Sequence, residues 1–259
     1  MSPSDFKAPH DPGISSVLKA IQKALLSLVE PAIFLRLLIP FFLSLFLGIF
    51  CLFYFWQSMT GLLLNSLLNS DWLTRSLAWI FSFAGGDGSA VLAFISGFIF
   101  LLMVVTAVYA VTVVLTSLIL VPLLVPVLRK KHHPELALQP GNNFLPSLLN
   151  SIKAFCVFLF LFALSLPFFL IPFLPVAIPL LLNSYLSQKI FPFDVLQDMA
   201  GAEEIKKFRQ IHRIRLWILA VATGFLVYIP VINFLAPSIT ALSFIFYILD
   251  NLGPFRKNH

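Results

Sequence analysis

Charged residues are scarce in this 259-residue chain. Only 11% of its residues are charged, whereas a soluble domain carries about 25%, and 59% are apolar. That leaves too little polar surface to dissolve a globular fold of this length. The composition therefore excludes a soluble domain and predicts an all-α integral membrane protein, with residues 1–259 forming a single membrane domain.

The chain also lacks the residue patterns of a chemical centre. Its two cysteines, Cys51 and Cys156, lie inside apolar runs and have no Cys or His at ligand spacing. They are expected to be small buried hydrophobes. Because no hydrolase triad, HExxH site, Gly-rich phosphate loop or paired-carboxylate site is present, we predict no enzyme activity, metal or cofactor.

A short apolar signal core is missing from the polar tail 1–12, so the first long apolar run is expected to be a retained anchor. The chain carries 17 Lys and Arg against 11 Asp and Glu, a net charge of +6. These basic residues flank the apolar segments. Their distribution favours contact with cytosol and lipid headgroups, and disfavours nucleic acid as a partner.

Three segments have the periodicity or length of helices. Apolar residues recur at helical spacing over 13–30, which predicts an amphipathic helix on the membrane surface. Residues 37–64 and 90–128 contain no ionisable Asp, Glu, Lys, Arg or His, and each exceeds the ~20 residues that a transmembrane helix needs. They predict two long transmembrane helices, the second of which bends or continues beyond the membrane near Pro122 and Pro126.

Two later apolar regions, 154–184 and 216–249, are interrupted by proline near their centres. Half of either region is about 15 residues, or ~23 Å of helix, which is shorter than a ~30 Å hydrocarbon core. Half-penetrating helix hairpins are therefore favoured over full crossings, although six full crossings remain an alternative. Each region also contains an Ile-Pro pair followed by a further proline at the same distance, Ile171-Pro172 before Pro179 and Ile229-Pro230 before Pro237. This shared spacing supports treating the two regions as equivalents.

The basic residues also predict orientation. They concentrate at 129–131, at 189–215 and near the C-terminus, whereas the polar stretch 65–89 holds a single arginine. Under the positive-inside rule both termini are cytoplasmic and 65–89 faces outward. His132 and His133 adjoin the first basic cluster and are expected to face headgroups, and Glu203 and Glu204 are expected to form ion pairs within their own helix.

An ion that crosses such a protein must be met by hydroxyls, amides, helix N-termini and charges at the membrane edge, because the apolar segments hold no ionisable residues. This absence disfavours proton coupling. The candidate substrate-binding residues are Arg36, Asn183, Ser184, Asn233, Ser238 and Thr240.

The order of sequence motifs resembles the CysZ sulfate transporters of bacterial inner membranes and the wider etoposide-induced protein family. The matching motifs are Glu-Pro-Ala-Ile at 30–33, Pro-Val-Leu from Pro126, Phe-Pro-Phe-Asp at 191–194 and the Ile-Pro to Pro segment 229–237. The resemblance covers about residues 15–252. It implies two long transmembrane helices, two pairs of half-penetrating helices, homo-oligomers and passive sulfate uptake for cysteine synthesis. The family-motif positions are Pro31, Pro192, Phe193, Asp194, Pro230 and Pro237, of which 192–194 is expected to form a turn.

One segment departs from that family. Where its sulfate-binding members typically have Gly-Ile-Arg-Arg, this chain has Ala-Ile-Phe-Leu at 32–35, and its arginine follows at Arg36. Glycine would let backbone amides close around an oxyanion, and paired guanidinium groups would supply charge. The resemblance, the proline-broken hairpins and the basic cytoplasmic face nevertheless make an inner-membrane permease or channel for sulfate or a related anion the leading hypothesis. The alternative is a non-transporting scaffold or lipid-shaping protein, and a membrane-embedded enzyme ranks third.

Overall fold

The computed structural model describes residues 13–69, 89–136, 144–165, 168, 174–229 and 232–258. Over these residues the chain forms helices and turns and contains no strand, which confirms the predicted all-α fold. Several helical stretches are long and apolar enough to cross a bilayer, as a multi-pass membrane protein requires. They are Ile33–Leu68, Ala90–His132, Leu145–Ser165 and Ala236–Lys257.

The described helices follow the chain in a simple order. They are α1 (Ile14–Ser27), α2 (Pro31–Leu68), α3 (Ser89–Leu115), a π-helical segment (Thr116–Leu120), α4 (Val121–His132), α5 (Phe144–Ser165), α6 (Leu174–Gln197), α7 (Ala202–Ile211), α8 (Arg213–Gly224), two 3-10 turns (Phe225–Tyr228 and Ile232–Leu235) and α9 (Ala236–Asn258). Two compact units are present, one comprising 1–42 and 110–259 and the other 43–109.

The predicted amphipathic helix is present as α1. Val17, Ala20, Ala24 and Ser27 are buried, and this face packs against α9 and α8. Ile14 and Leu18 point away from it and are more than half exposed. The helix thus covers protein with one face and leaves apolar side chains on the other, as a helix at a membrane interface does.

Among the described residues, the unit 43–109 contains residues 43–68 of α2 and 89–109 of α3. The two helices approach closely at Gly48, because a Cβ placed there would lie 2.4 Å from Cγ2 of Val108. Trp56 contacts Phe100 edge to face, with ring centroids 5.7 Å apart. Large apolar side chains on the other faces are exposed, among them Phe53 at 89%. Such surfaces are stable only when they contact lipid or another apolar surface.

The second long segment neither stops nor breaks at its prolines. Helix continues through Pro122 and Pro126 to His132, and a π-helical turn at Thr116–Leu120 precedes the first of them. Proline cannot donate an N–H and its ring crowds the carbonyl four residues earlier, so a wider turn at that point relieves the conflict.

Both proline-broken regions form pairs of helices, as predicted, but three of the four arms are longer than half of an apolar run. α5, α6 and α9 contain 22, 24 and 23 residues, or about 33–36 Å of helix, because they continue into the flanking polar sequence. Only α8, with 12 residues, is short. Length alone therefore no longer favours half-penetration, which stays a prediction.

The second helix pair contacts the first near the start of α6. Tyr228, which ends the 3-10 turn after α8, donates its hydroxyl proton to the carbonyl of Val176 in the first turn of α6. Ile171, Pro172 and Pro230 of the predicted repeat lie outside the described residues. The equivalence of the two regions therefore stays a prediction.

α9 lies at the centre of the larger unit. Its fully buried side chains include Phe244 and Tyr247, and it packs against α1, α6, α8, α4 and the π-helical segment. Its first turns are tied to α2, because Ser238 donates a hydrogen bond to the carbonyl of Leu37 at 3.1 Å. Near its other end Asp250 accepts from Lys23 of α1 at 2.7 Å.

Candidate functional site

Arg36 lies in the second turn of α2 and is the only charged residue on that helix. Its side chain is half-buried, and among the described residues no hydrogen bond or ion pair engages it. The hydrogen bond from Ser238 to Leu37 places the start of α9 against the neighbouring turn. Ser238 and the residue that follows Arg36 therefore meet at a junction between α2 and α9.

Three predicted hydroxyls already donate to backbone carbonyls. Ser238 bonds Leu37, Thr240 bonds Ala236 at 2.7 Å, and Ser184 bonds Leu180 at 2.7 Å. A hydroxyl has one proton to donate. In this arrangement none of the three has a free donor for an anion, so their observed contacts are structural.

The two predicted asparagines keep unused hydrogen-bonding capacity. Asn183 is buried on α6, and Asn233 is half-buried in the second 3-10 turn. Neither side-chain oxygen has a hydrogen-bond partner within the part of the chain that the structure describes. The backbone N–H of Asn233 donates to the carbonyl of Ile229 at 3.0 Å.

The family-motif residues at 192–194 lie within the last turns of α6, which continues to Gln197. The expected turn is therefore wrong, because helix accommodates Pro192 and the chain turns only at Asp198–Ala200. Pro31 begins α2 and Pro237 is buried in the first turn of α9. Pro230 falls outside the described residues.

Asp194, the one carboxylate of the Phe-Pro-Phe-Asp motif, is buried. One of its oxygens accepts a hydrogen bond from Ser147 at 2.6 Å, and the other has no partner among the described residues. Burial raises the pKa of Asp194 to about 7, against the opposing effects of the Ser147 hydrogen bond and the positive charge of Arg209. The hydrogen bond between Ser147 and Asp194 thus links the start of α5 to the end of α6.

A basic cleft of about 570 Å³ lies between α6, α7 and α8. In the sequence, its cations served only to predict the orientation of the chain in the membrane. The cleft is lined by four cations, Lys189, Lys206, Arg209 and Arg213, and no carboxylate is among its lining residues. Desolvation by burial, followed by the charges of Arg209 and Arg213, lowers the pKa of Lys189. We call this the basic cleft. The density of cations between 189 and 213 was the signal available in the sequence.

Glu204 of α7 does not form an ion pair with the cations of this cleft. Glu204 pairs with Arg256 of α9 at 2.7 Å, so the predicted pairing within α7 is wrong for this residue. The reason is that Arg256 is brought beside it by the packing of α9, where it also donates to the carbonyl of Met199.

The histidines and cysteines that the structure describes do not form a candidate metal centre. They contain no cluster of three or more His, Cys, Asp or Glu side chains that could hold a metal ion. His133 contacts Asp250 at 2.9 Å and Glu135 at 3.0 Å, so it binds protein as well as facing the surface. Both cysteines are free, but Cys156 is exposed rather than buried.

Comparison with known proteins agrees with the resemblance seen in the motifs. The family model described as sulfate transporter CysZ/etoposide-induced protein 2.4 matches residues 20–237, which is most of the chain. No curated protein and no solved structure matches it.

Proposed function

Because the chain belongs to the sulfate transporter CysZ/etoposide-induced protein 2.4 family, we propose that it is a permease or channel for sulfate or a related inorganic anion. It would act in the bacterial inner membrane as a homo-oligomer and supply sulfur for cysteine synthesis. No catalysis is part of this role.

The single observation that supports this role best is the state of Arg36. An ionisable side chain in a transmembrane helix is expensive and is retained mainly where it serves an ion pathway or a partner. Arg36 is half-buried and has no ionic partner among the described residues, and the next residue, Leu37, accepts a hydrogen bond from Ser238 in the first turn of α9. A guanidinium next to the positively polarised start of a helix favours an anion.

Anion flux into liposomes that contain the purified full-length protein tests this proposal. We expect saturable sulfate uptake, which Arg36→Gln weakens about ten- to a hundredfold, since a hydrogen bond to a charged group contributes about 1.5–3 kcal/mol. Lys153→Gln is the matched control, because Lys153 is an exposed cation on α5 away from the junction. Expression and helix content should be the same in all three proteins.

Two results would contradict this assignment in different ways. Equal flux through the unmutated and Arg36→Gln proteins would reject Arg36 as an anion-binding residue but would still support a permease. An absence of flux in the unmutated protein would instead favour a non-transporting membrane scaffold or lipid-shaping protein. The specific observation behind that second candidate is Ala-Ile-Phe-Leu at 32–35, which replaces the Gly and paired Arg typical of sulfate-binding relatives.

The proposed orientation is tested separately. Reporter domains inserted at Lys131, at Lys207 and after Lys257 should all be cytoplasmic, because basic loops are retained on that side. A reporter at Gly86 should be periplasmic. A periplasmic signal at Lys207 would contradict the paired-hairpin topology. The homo-oligomer is tested by chemical cross-linking in native membranes, which should give covalent dimers or larger species.

A further inference from the structure

Two cavities lie side by side along α8 and share Arg213 and Trp217. One is the basic cleft. The other has a volume of about 620 Å³ and is otherwise lined only by apolar side chains, namely Ile214, Ile218, Val221, Ala222 and Phe225. We call it the apolar groove. A charged cavity thus continues directly into an uncharged one on the same helix.

The positive charge of the basic cleft is only partly balanced within the protein, because Asp194 attracts Arg209 electrostatically but does not form an ion pair with it. Lys189, Lys206, Arg209 and Arg213 form no ion pair with any residue in the described ranges. Arg209 and Lys189 are also partly withdrawn from water, and the one hydrogen bond that Arg209 donates within the described residues is long, at 3.4 Å to the carbonyl of Lys189. Like charges gathered in a partly desolvated cavity are stabilised by an anion.

The apolar groove has the dimensions and composition of a lipid chain site. From Arg213 to Phe225 the helix rises about 18 Å, which is comparable to one leaflet, about half of a ~30 Å hydrocarbon core. Ile214 and Phe225 at its ends are 74% and 55% exposed. The change from basic to apolar residues along the sequence falls at the same place, near residue 215.

Tyr185 and Trp217 lie in the basic cleft where it meets the groove. The Lys189 ammonium stands 5.7 Å from the centre of the Tyr185 ring. Tyr and Trp are enriched at the level of lipid headgroups, because one end of the ring system is apolar and the other polar. Their position marks this boundary as the depth of a headgroup.

We propose that these two cavities bind one anionic phospholipid, with its phosphate in the basic cleft and an acyl chain in the apolar groove. A free inorganic anion would satisfy the cleft but would leave the groove unexplained. Basic pockets at the cytoplasmic ends of membrane helices bind anionic headgroups in this manner. The site is distinct from Arg36, so it does not depend on sulfate transport.

Native mass spectrometry of the delipidated full-length protein tests the proposal, with dioleoyl phosphatidylglycerol and dioleoyl phosphatidylcholine as probes. We expect one tight phosphatidylglycerol per protomer and at least about tenfold weaker phosphatidylcholine binding. Lys206→Gln/Arg213→Gln should weaken phosphatidylglycerol about thirtyfold. Both side chains are exposed, so the fold should survive. Lys130→Gln/Lys153→Gln removes the same charge elsewhere and should change binding less than about twofold.

Ala222→Trp fills the groove and separates the two possible sources of the anion. We expect it to abolish tight phosphatidylglycerol binding even though the cleft is unchanged. Equal binding of the two lipids would overturn the proposal. So would displacement of phosphatidylglycerol by millimolar sulfate together with unchanged binding in Ala222→Trp, because that result would identify the cleft as a site for a free ion.

Discussion

α5 and α9 are candidate membrane spans of nearly equal length, with 22 and 23 residues, but they have opposite surroundings. Protein buries 83% of the most apolar window of α9 and only 28% of that of α5. Neighbouring helices therefore surround α9, whereas the exposed residues of α5, such as Phe160 and Leu164, form an apolar surface.

The polar residues of the two helices follow this difference. Within α9, Ser243 and Asn251 donate to the carbonyls of Ile239 and Tyr247, and Asp250 and Arg256 bind residues from other helices. A helix surrounded by protein can hold such groups because each finds a partner. α5 is polar mainly at its start, where Ser147 and Asn150 bond α6. Lipid-facing positions are thus kept apolar and protein-facing positions need not be.

The largest difference in stability between the two helices is expected when one phenylalanine on each is replaced by alanine. Phe244 of α9 is completely buried and contacts Phe191, whereas Phe160 of α5 is 67% exposed. Phe244→Ala should lower the free energy of unfolding by about 3–5 kcal/mol, because it leaves a cavity in a packed core. Phe160→Ala should cost less than about 1 kcal/mol.

Denaturant unfolding of both variants in the same mixed micelles measures the difference. Comparable losses in the two proteins would show that the outer face of α5 is packed against another chain rather than against lipid or detergent. Cross-linking of Phe160→Ala would then show whether its oligomer has weakened.

The second prediction concerns the polar start of α5 and is a dependence of stability on pH. Burial raises the pKa of Asp194 from 3.8 to about 7. Between these values the folded protein binds a proton that the unfolded chain has lost, so the free energy of unfolding should fall as pH rises from about 4 to about 7. The loss is a few kcal/mol, because one pKa unit corresponds to about 1.36 kcal/mol.

Asp194→Asn removes this charge and retains a hydrogen-bonding side chain for Ser147. It should be at least as stable as the unmutated protein at pH 8, and its stability should change less between pH 5 and pH 8. Thermal unfolding at both pH values tests this. A variant that is less stable than the unmutated protein at pH 8 would show that the carboxylate is charged and needed, through its attraction to Arg209.

The sequence predicted which segments are helical but not which helices form the core. Absence of charge located α2 and the long segment 90–128, and prolines located the breaks in the two later regions. Hydropathy cannot distinguish lipid from protein as the surrounding medium, so the central position of α9 was not predictable from it. The basic cleft also requires packing, because its cations come from α6, α7 and α8.

Proline positions were informative about where regular structure is strained, but not about the outcome. Pro122 and Pro126 are accommodated by continuous helix after a π-helical turn, and Pro192 lies inside α6. Neighbouring helices and local π adjustments can satisfy the carbonyl that proline leaves without a donor. The sequence therefore shows where proline removes a backbone hydrogen bond, but not how the fold compensates for the loss.

A smaller effect is expected at the ionic contact between α1 and α9. Lys23 and Asp250 are 2.7 Å apart, with 42% and 26% of their side chains exposed. A double-mutant cycle of Lys23→Gln and Asp250→Asn should give a coupling energy of about 1 kcal/mol, because partly exposed pairs are weak. His133 also contacts Asp250, so the single Asp250→Asn variant should lose more stability than Lys23→Gln. Equal losses would show that the His133 contact contributes nothing.

The last prediction concerns the depth of α5 in the bilayer and not its stability. Cys156 is exposed near the middle of α5, and Ser165 is the last residue of that helix, about 13 Å further along. Spin labels are attached at Cys156 in Cys51→Ala, or at the new cysteine in Cys51→Ala/Cys156→Ala/Ser165→Cys. If α5 enters the bilayer only halfway, the label at 165 should be the deeper one, with the higher ratio of collisions with oxygen to collisions with a water-soluble nickel chelate. If α5 crosses completely, the order reverses, because position 156 then lies near the bilayer centre and position 165 near the far surface. Shielding of Cys156 from both reagents would contradict lipid contact altogether and would indicate that the exposed face of α5 packs against another copy of the chain.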